Sequence, residues 1–211
     1  MIDILINGYD KNFKNILEKT ILEDKKLNLI GSLDKSHNLA EQIEMKQPHV
    51  ILDFTDNSYT MKNIRLIISY NIHPIIRTKN ISFKELNIIT KICRIKKLGC
   101  LITPDFSIAN NLLVKYVNEC NKYFKHFPRI NELRKKERKS YTQLYNKKQT
   151  LGKTYCKQFP SKKEVVFSGI SENLVFKSIN KNCSSLTPGI RFACNSVKHL
   201  NGLIYGLDKI I

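Results

Sequence analysis

Short apolar runs, each closed by a polar or glycine-containing turn and separated by amphipathic stretches, limit what the first half of this chain can fold into. The runs are Ile2–Ile6, Leu27–Leu33, His49–Phe54, Pro74–Ile76 and Cys100–Thr103. Between them, Phe13, Ile16, Leu17, Ile21 and Leu22 recur at helical spacing, as do Met61, Ile64, Ile67 and Ile68 between Asn57 and Tyr70. Shorter helical stretches fall at Ala40–Met45 and Ser82–Cys93. Parallel neighbours need a crossover between them, and strands covered on both faces read as continuous apolar runs. The alternation therefore predicts an α/β fold, a doubly wound parallel sheet of Rossmann-like type.

The stretch Lys96–Tyr116 organises the rest. Cys100–Thr103 reads as a strand, Pro104-Asp105-Phe106-Ser107 as a turn, and Ile108, Leu112, Leu113, Tyr116 and Val117 as the apolar face of a helix capped by Ser107 or Asp105. Open α/β sheets hold ligands where a strand ends in a polar turn that opens a helix. After Tyr123 the character changes. Pro128–Lys157 is charged and polar, with cations at Arg134, Lys135, Lys136, Arg138 and Lys139. Lys163–Gly169 and Asn173–Ser178 read as two antiparallel strands. Pro188-Gly189 opens a last helix, Ile190–Leu200, and Gly202 and Gly206 bracket a turn.

The 211 residues suffice for one large domain or two small ones, and carry a formal net charge of +18. Such charge invites a nucleic-acid reading. The excess is spread along the whole chain, however, with Lys, Asn and Ile over-used and Trp absent, as in proteins of AT-biased genomes. Aromatic residues are not interleaved with the Arg134–Lys139 cluster, which counts against a single-strand binder. The six cysteines show no zinc-ligand spacing and read as buried thiols. No run approaches the ~20 apolar residues of a membrane span, and no leader pattern opens the chain. The expectation is a cytoplasmic protein with no membrane partner.

The first strand ends at Asn7-Gly8 and a helix follows, which is the entry to a dinucleotide-binding unit. Only Gly8 of the usual glycines is present. Asp10 and Asn12 tolerate left-handed geometry, and Lys11 and Lys14 offer phosphate-neutralising charge beside Phe13. Asp34, at the end of the second strand, sits where an acidic residue bonds a ribose hydroxyl, and Lys35 suits a 2′-phosphate equally well. The pair leaves NADH and NADPH open.

Several segments then come into register with one family. Val50-Ile51-Leu52-Asp53-Phe54-Thr55, Pro74-Ile75-Ile76-Arg77-Thr78-Lys79 and Thr103-Pro104-Asp105-Phe106-Ser107-Ile108, followed by Asn111-Leu112-Leu113, resemble the V-I-D-F-[ST], V-I-G-T-T and A-P-N-F-S segments of the 4-hydroxy-tetrahydrodipicolinate (dihydrodipicolinate) reductases. Val165-Val166-Phe167, Glu172, Phe192-Ala193, Tyr205, Leu207 and Ile210-Ile211 resemble the later motifs. The resemblance implies a dinucleotide-binding domain over 1–104, a smaller α+β domain with an open mixed sheet over 105–189 that binds substrate and builds a homotetramer, and a C-terminal helix over 190–211 returning to the first domain. It also implies reduction of a cyclic imine dicarboxylate by NADH or NADPH, in lysine and diaminopimelate biosynthesis. Arg77, Thr78, Lys79, Thr103, Pro104, Asp105 and Phe106 join Gly8, Lys11, Asn12, Phe13 and Asp34 as cofactor-binding positions.

The departures fall on the chemistry. Where the family has E-x-H-H-x-x-K and D-A-P-S-G-T, this chain has Glu132-Leu133-Arg134-Lys135-Lys136-Glu137-Arg138 and Ser140-Tyr141-Thr142-Gln143-Leu144-Tyr145. The matching positions make Arg134 and Arg138 the catalytic candidates, and Lys135, Lys139 and Tyr145 the substrate-binding ones. Arginine and lysine can bind a dicarboxylate, but arginine does not deliver a proton near neutrality. The alternative is an impaired relative that serves as a nucleotide- or protein-binding module.

Overall fold

The computed structural model of the chain describes residues 1–8, 11–34, 37–55, 57–123, 129–132, 160–168 and 171–211, with the side chains of 11–12, 57–59, 129–132 and 168 outside that description. Its strands are β1 (Ile2–Asn7), β2 (Leu27–Leu33), β3 (Val50–Asp53), β4 (His73–Arg77), β5 (Cys100–Thr103), β6 (Arg129–Glu132), β7 (Ser161–Ser168), β8 (Asn173–Asn180) and β9 (Leu203–Tyr205). Its α-helices are α1 (Lys11–Leu22), α2 (Leu39–Lys46), α3 (Asn57–Ser69), α4 (Phe83–Lys96), α5 (Ile108–Cys120) and α6 (Thr187–Ser196).

Six strands form one parallel sheet in the order β2-β1-β3-β4-β5-β9. Alternate residues of the central strands point to opposite faces. Ile4, Ile6, Val50, Leu52, Ile75 and Leu101 pack with Phe13, Leu17 and Ile21 of α1 and Ile190, Ala193 and Cys194 of α6. Leu5, Ile51, Ile76, Cys100 and Ile102 pack with α2, α3 and α4 on the other face. Both faces are covered, so these strands carry no polar alternation. The doubly wound architecture expected from the alternation is present, and β2 and β5 have the expected bounds.

Local chemistry sets the helix ends. A capping box starts α4, with the Ser82 hydroxyl accepting from the Glu85 N–H and the Glu85 carboxylate accepting from the Ser82 N–H. Of the two candidates for α5, Ser107 is the cap: its hydroxyl accepts from the Asn110 N–H at 3.2 Å. Pro188 lies in the first turn of α6, where its missing N–H costs nothing. That helix begins three residues before the expected Ile190, and Val197–His199 continues it as a 3-10 turn.

Two expectations need correction. The residues between Gly202 and Gly206 are not a turn but β9, parallel to β5, with the Cys100 N–H donating to the Gly202 carbonyl and the Gly206 N–H to that of Ile102. Both glycines have positive φ (+89° and +96°), so they bend the chain into and out of a three-residue edge strand. The second sheet, expected to be mixed, is antiparallel among the described residues, in the order β6-β7-β8. Only 169–172 separate β7 from β8, too few residues for a crossover.

The second sheet rests on α5 through Leu113, Val117, Val165 and Phe167, with the Tyr116 and Phe176 rings stacked at 6.4 Å. In the other direction α6 closes onto α1: Arg191 Nε donates to the Thr20 carbonyl at 2.9 Å and Asn195 to Asp24. The α6 backbone also presses on the β5–α5 turn. A Cβ on Gly189 would lie 1.8 Å from the Phe106 carbonyl oxygen. Gly189→Ala therefore has to displace backbone, and is expected to lose about 1–3 kcal/mol or more in urea unfolding. An unchanged midpoint would show that α6 has room to move.

Candidate functional site

The C-terminal ends of the parallel strands line one edge of the sheet. Along it lie Asp34 after β2, Gly8 after β1, Thr55 just beyond β3, Arg77-Thr78-Lys79 at the end of β4, and Thr103-Pro104-Asp105-Phe106 at the end of β5. Four inter-strand spacings separate β2 from β5, about 19 Å at ~4.8 Å each. The chain reverses its winding between β1 and β3, and ligands of such sheets sit at this switch point.

Gly8 marks that point. Its φ is +72°, and a Cβ there would lie 2.1 Å from Thr55 Cγ2 and 2.8 Å from the Thr55 backbone. Glycine is thus required by both conformation and contact, and the first and third turns touch. Beneath them Asp53 is buried. Its carboxylate accepts from the Thr55 N–H at 2.7 Å and from Asn63 Nδ2 at 2.9 Å, and Asn63 also donates to Thr55 Oγ1. Burial pushes the Asp53 carboxyl above its ordinary value, against the opposing hydrogen bonds from Thr55, Asn63 and Asn7.

At the other end the β5–α5 turn is held from inside. Asp105 accepts from the Ser107 N–H at 2.9 Å and from Asn110 Nδ2 at 2.7 Å. Asn111 donates to the carbonyls of Asp105 and Ser107, and Thr103 Oγ1 donates to the Asp105 carbonyl. Two bonds cross to β8: Ser107 Oγ to Asn180 Oδ1 at 2.9 Å, and Ser178 Oγ to Asn110 Oδ1 at 2.7 Å. A charge crosses as well, with Lys163 Nζ of β7 3.6 Å from Asp105 Oδ2. Burial raises the Asp105 carboxyl, but Lys163, the Ser107 N–H, Asn110 and Arg77 outweigh it and hold it below its ordinary value. Burial pushes the Arg77 guanidinium down to about 9 against the pull of Asp105, leaving it charged at neutral pH.

The structure thus gathers the expected cofactor positions on one edge, in several kinds of setting. The rings of Phe13 and Phe106 are fully buried in the core. Thr78 and Thr103 are buried, with the Thr78 hydroxyl accepting from the Asn80 N–H. Asp34 is exposed, with His37 Nδ1 2.8 Å from its carboxylate. Lys11 and Asn12 begin α1, but their side chains lie outside the description. So do Lys35, Arg134, Lys135, Arg138, Lys139 and Tyr145 in their entirety. Sequence reasoning passed over Asn63, Asn110, Lys163 and Asn180. The signals available were Asn63 and Asn110 within apolar helices, and the period-two series Phe176, Ser178, Asn180 turning polar along the inner face of β8.

No family model matches the sequence. A curated 4-hydroxy-tetrahydrodipicolinate reductase of Coxiella burnetii is 26% identical over 239 residues, covering 100% of this chain and 99% of that protein. The chain is thus a distant, full-length relative of curated 4-hydroxy-tetrahydrodipicolinate reductases. Among solved structures, the dipicolinate-bound dihydrodipicolinate reductase from Paenisporosarcina sp. TG-14 shares its fold with a TM-score of 0.83, 20% identity and 100% coverage of both chains. An engineered D-amino acid dehydrogenase bound to NADP+ matches with a TM-score of 0.57 at 11% identity, over 98% of this chain and 93% of that one.

Other chemistry is sparse. Among the described residues no group of three or more His, Cys, Asp or Glu side chains could hold a metal ion, and no helix is long and apolar enough to cross a membrane. A cavity of about 500 Å³ opens at the opposite, N-terminal edge of the sheet, lined by residues including His49, Tyr70, His73 and Lys198. It contains none of the positions the family resemblance assigns.

The Asp53 carboxyl gives a test of this part of the site. Its proton is held more tightly folded than unfolded, so its contribution is full below the ordinary value of 3.8 and is lost as pH rises through the folded value. Wild-type stability should therefore fall relative to Asp53→Asn as pH increases above about 4 in urea melts. Parallel pH profiles would count against the burial argument.

Proposed function

We propose that this protein is an NAD(P)H-dependent oxidoreductase that reduces 4-hydroxy-tetrahydrodipicolinate to tetrahydrodipicolinate, within lysine and diaminopimelate biosynthesis. The observation that carries the reading is the single edge on which Asp34, Gly8, Thr78 and Asp105 follow one another across the switch point of a parallel sheet. The residues fit a dinucleotide. Asp34 offers a ribose hydroxyl an acceptor, and the start of α1 beyond Gly8 offers the pyrophosphate N–H donors and a favourable dipole. The turns after β4 and β5 offer the nicotinamide a backbone surface fixed from below.

A bound nicotinamide would supply the hydride, and the chain's task is to orient the two reactants and exclude water. In the net reaction one hydride and one proton enter the ring and one water leaves. The substrate is a dicarboxylate, and the cations Arg77 and Lys163 stand at the β5 end of the edge. Arg134 and Arg138 remain the proposed catalytic positions, with Lys135, Lys139 and Tyr145 for substrate. A homotetramer through the second sheet accords with its outer face, where Val175 and Ile179 are exposed. A cytoplasmic location goes with this pathway.

One observation favours a second reading. Arg134-Lys135 and Leu144-Tyr145 stand where the family has His-His and Gly-Thr, and loss of a general acid costs about 10²–10⁴-fold. The impaired relative would bind nucleotide without turnover. Because the chain has no Trp, NADH and NADPH emission reports binding with little background. Binding followed by cofactor oxidation, on adding substrate made by its upstream synthase, is the expected result. Binding alone would move the assignment to the second reading, and uptake of neither nucleotide would refute the reductase and leave only the protein-binding form of the second. Asp34→Ala should weaken NADH about ten- to a hundredfold, the loss of a charge-assisted hydrogen bond worth about 1.5–3 kcal/mol, and weaken NADPH less.

A further inference from the structure

Lys163 stands out as the only described cation that reaches from the second sheet to the chemistry-bearing edge of the first. Its contact with Asp105 is not what holds the two sheets together. That is done by the buried Ser107–Asn180 and Ser178–Asn110 hydrogen bonds and by the Val165 and Phe167 contacts with α5. The ion pair is of another kind. At 3.6 Å it is longer than a hydrogen bond, and its two side chains remain 30% and 27% exposed. Such a pair is weak, and water screens it.

The partners also differ in freedom. Asp105 is fixed by the Ser107 N–H and Asn110, whereas Lys163 is a point charge on a flexible stem. Arg77 acts on the same carboxylate, so two cations face one acid here. A further carboxylate approaching this corner meets attraction from both. The backbone register adds an independent pointer. Lys163 is paired with Glu132, the last residue of β6, and Glu132 opens the segment that matches the family's catalytic motif. The described part of β6 thus ends opposite Lys163.

We propose that Lys163 is a substrate-binding residue, which leaves Asp105 to hold one carboxylate of the dicarboxylate substrate. The inference rests on the reductase reading and names a residue to which the family resemblance gives no role.

The test is calorimetric titration of pyridine-2,6-dicarboxylate into wild-type protein, Lys163→Met and Lys163→Arg, with NADH titrated separately and thermal melting confirming each fold. Lys163→Met should weaken the dicarboxylate tenfold or more and leave NADH within twofold, while Lys163→Arg stays within about threefold of wild type. In turnover the Met variant should raise KM and spare kcat. Dicarboxylate affinity within twofold of wild type in the Met variant would overturn the proposal. So would equal weakening of NADH and dicarboxylate, which marks a structural role. If wild-type protein binds NADH but not the dicarboxylate, Lys163 loses its role while the nucleotide part of the reading stands. If it binds neither, the reductase reading itself fails.

Discussion

Three aromatic rings under the C-terminal edge fix everything that happens on it. Phe13 comes from the first turn of α1, Phe54 from the turn after β3, and Phe106 from the turn after β5. Their rings form a chain, Phe13 to Phe54 at 5.5 Å edge-on and Phe54 to Phe106 at 5.7 Å. Each turn is thereby anchored to the next by a large buried side chain, and such contacts carry both area and a preferred geometry. The polypeptide above them is the surface a nucleotide would meet. Its precision comes from beneath, from packing and not from glycine-rich loop chemistry. This explains how a first turn with a single glycine can still build the fold.

The second sheet is attached by a different physics. Its apolar contact with α5 is small, and the specificity of the join lies in buried polar side chains. Asn110 donates to Asp105 and accepts from Ser178, and Ser107 accepts from the Asn110 N–H and donates to Asn180. Asn110 and Ser107 are each used in both directions, so neither is buried without a partner. Deleting one member strands another, at about 1–3 kcal/mol per orphaned group. A network satisfied in only one arrangement fixes the orientation of the sheet more sharply than an apolar contact of the same size.

The parts legible in the sequence were those whose cause is local. Leu27–Leu33 and Cys100–Thr103 could be bounded to the residue because each is a short apolar run that ends abruptly at a polar turn. The start at Ser82 was placed by helical spacing, and that of α5 was narrowed by capping chemistry to Ser107 or Asp105. β9 was not legible, because Leu203–Tyr205 between two glycines looks like a turn until β5, a hundred residues earlier, supplies its partner. The same holds for the site. Gly8, Asp34 and the 77–79 and 103–106 segments announce themselves as strand ends. Asp105 could be seen as a cap candidate and a cofactor position, but not as half of an ion pair, since its partner Lys163 lies on another sheet. The positions matched to the family's catalytic motif fall outside the described residues, and there the sequence alone speaks.

The two acids of the edge lie where the proposed anionic ligands would bind. Asp53 and Asp105 sit two strands apart at the ends of β3 and β5, and their surroundings push them in opposite directions. Asp53 has only neutral donors around it, so burial prevails and its carboxyl is raised toward the uncharged form. Asp105 has Lys163 and Arg77, so burial is outweighed and its charge is retained. A lone buried carboxylate beneath the switch point would repel a pyrophosphate; raising its pKa lessens that cost without losing the hydrogen bonds that shape the turn. A charged Asp105 at the far end does the reverse. It draws in cations that would otherwise stay in water, and their combined charge exceeds its own. The same residue type is thus pushed toward its neutral form at one end of the edge and held toward its charged form at the other, according to whether its neighbours are amides or cations.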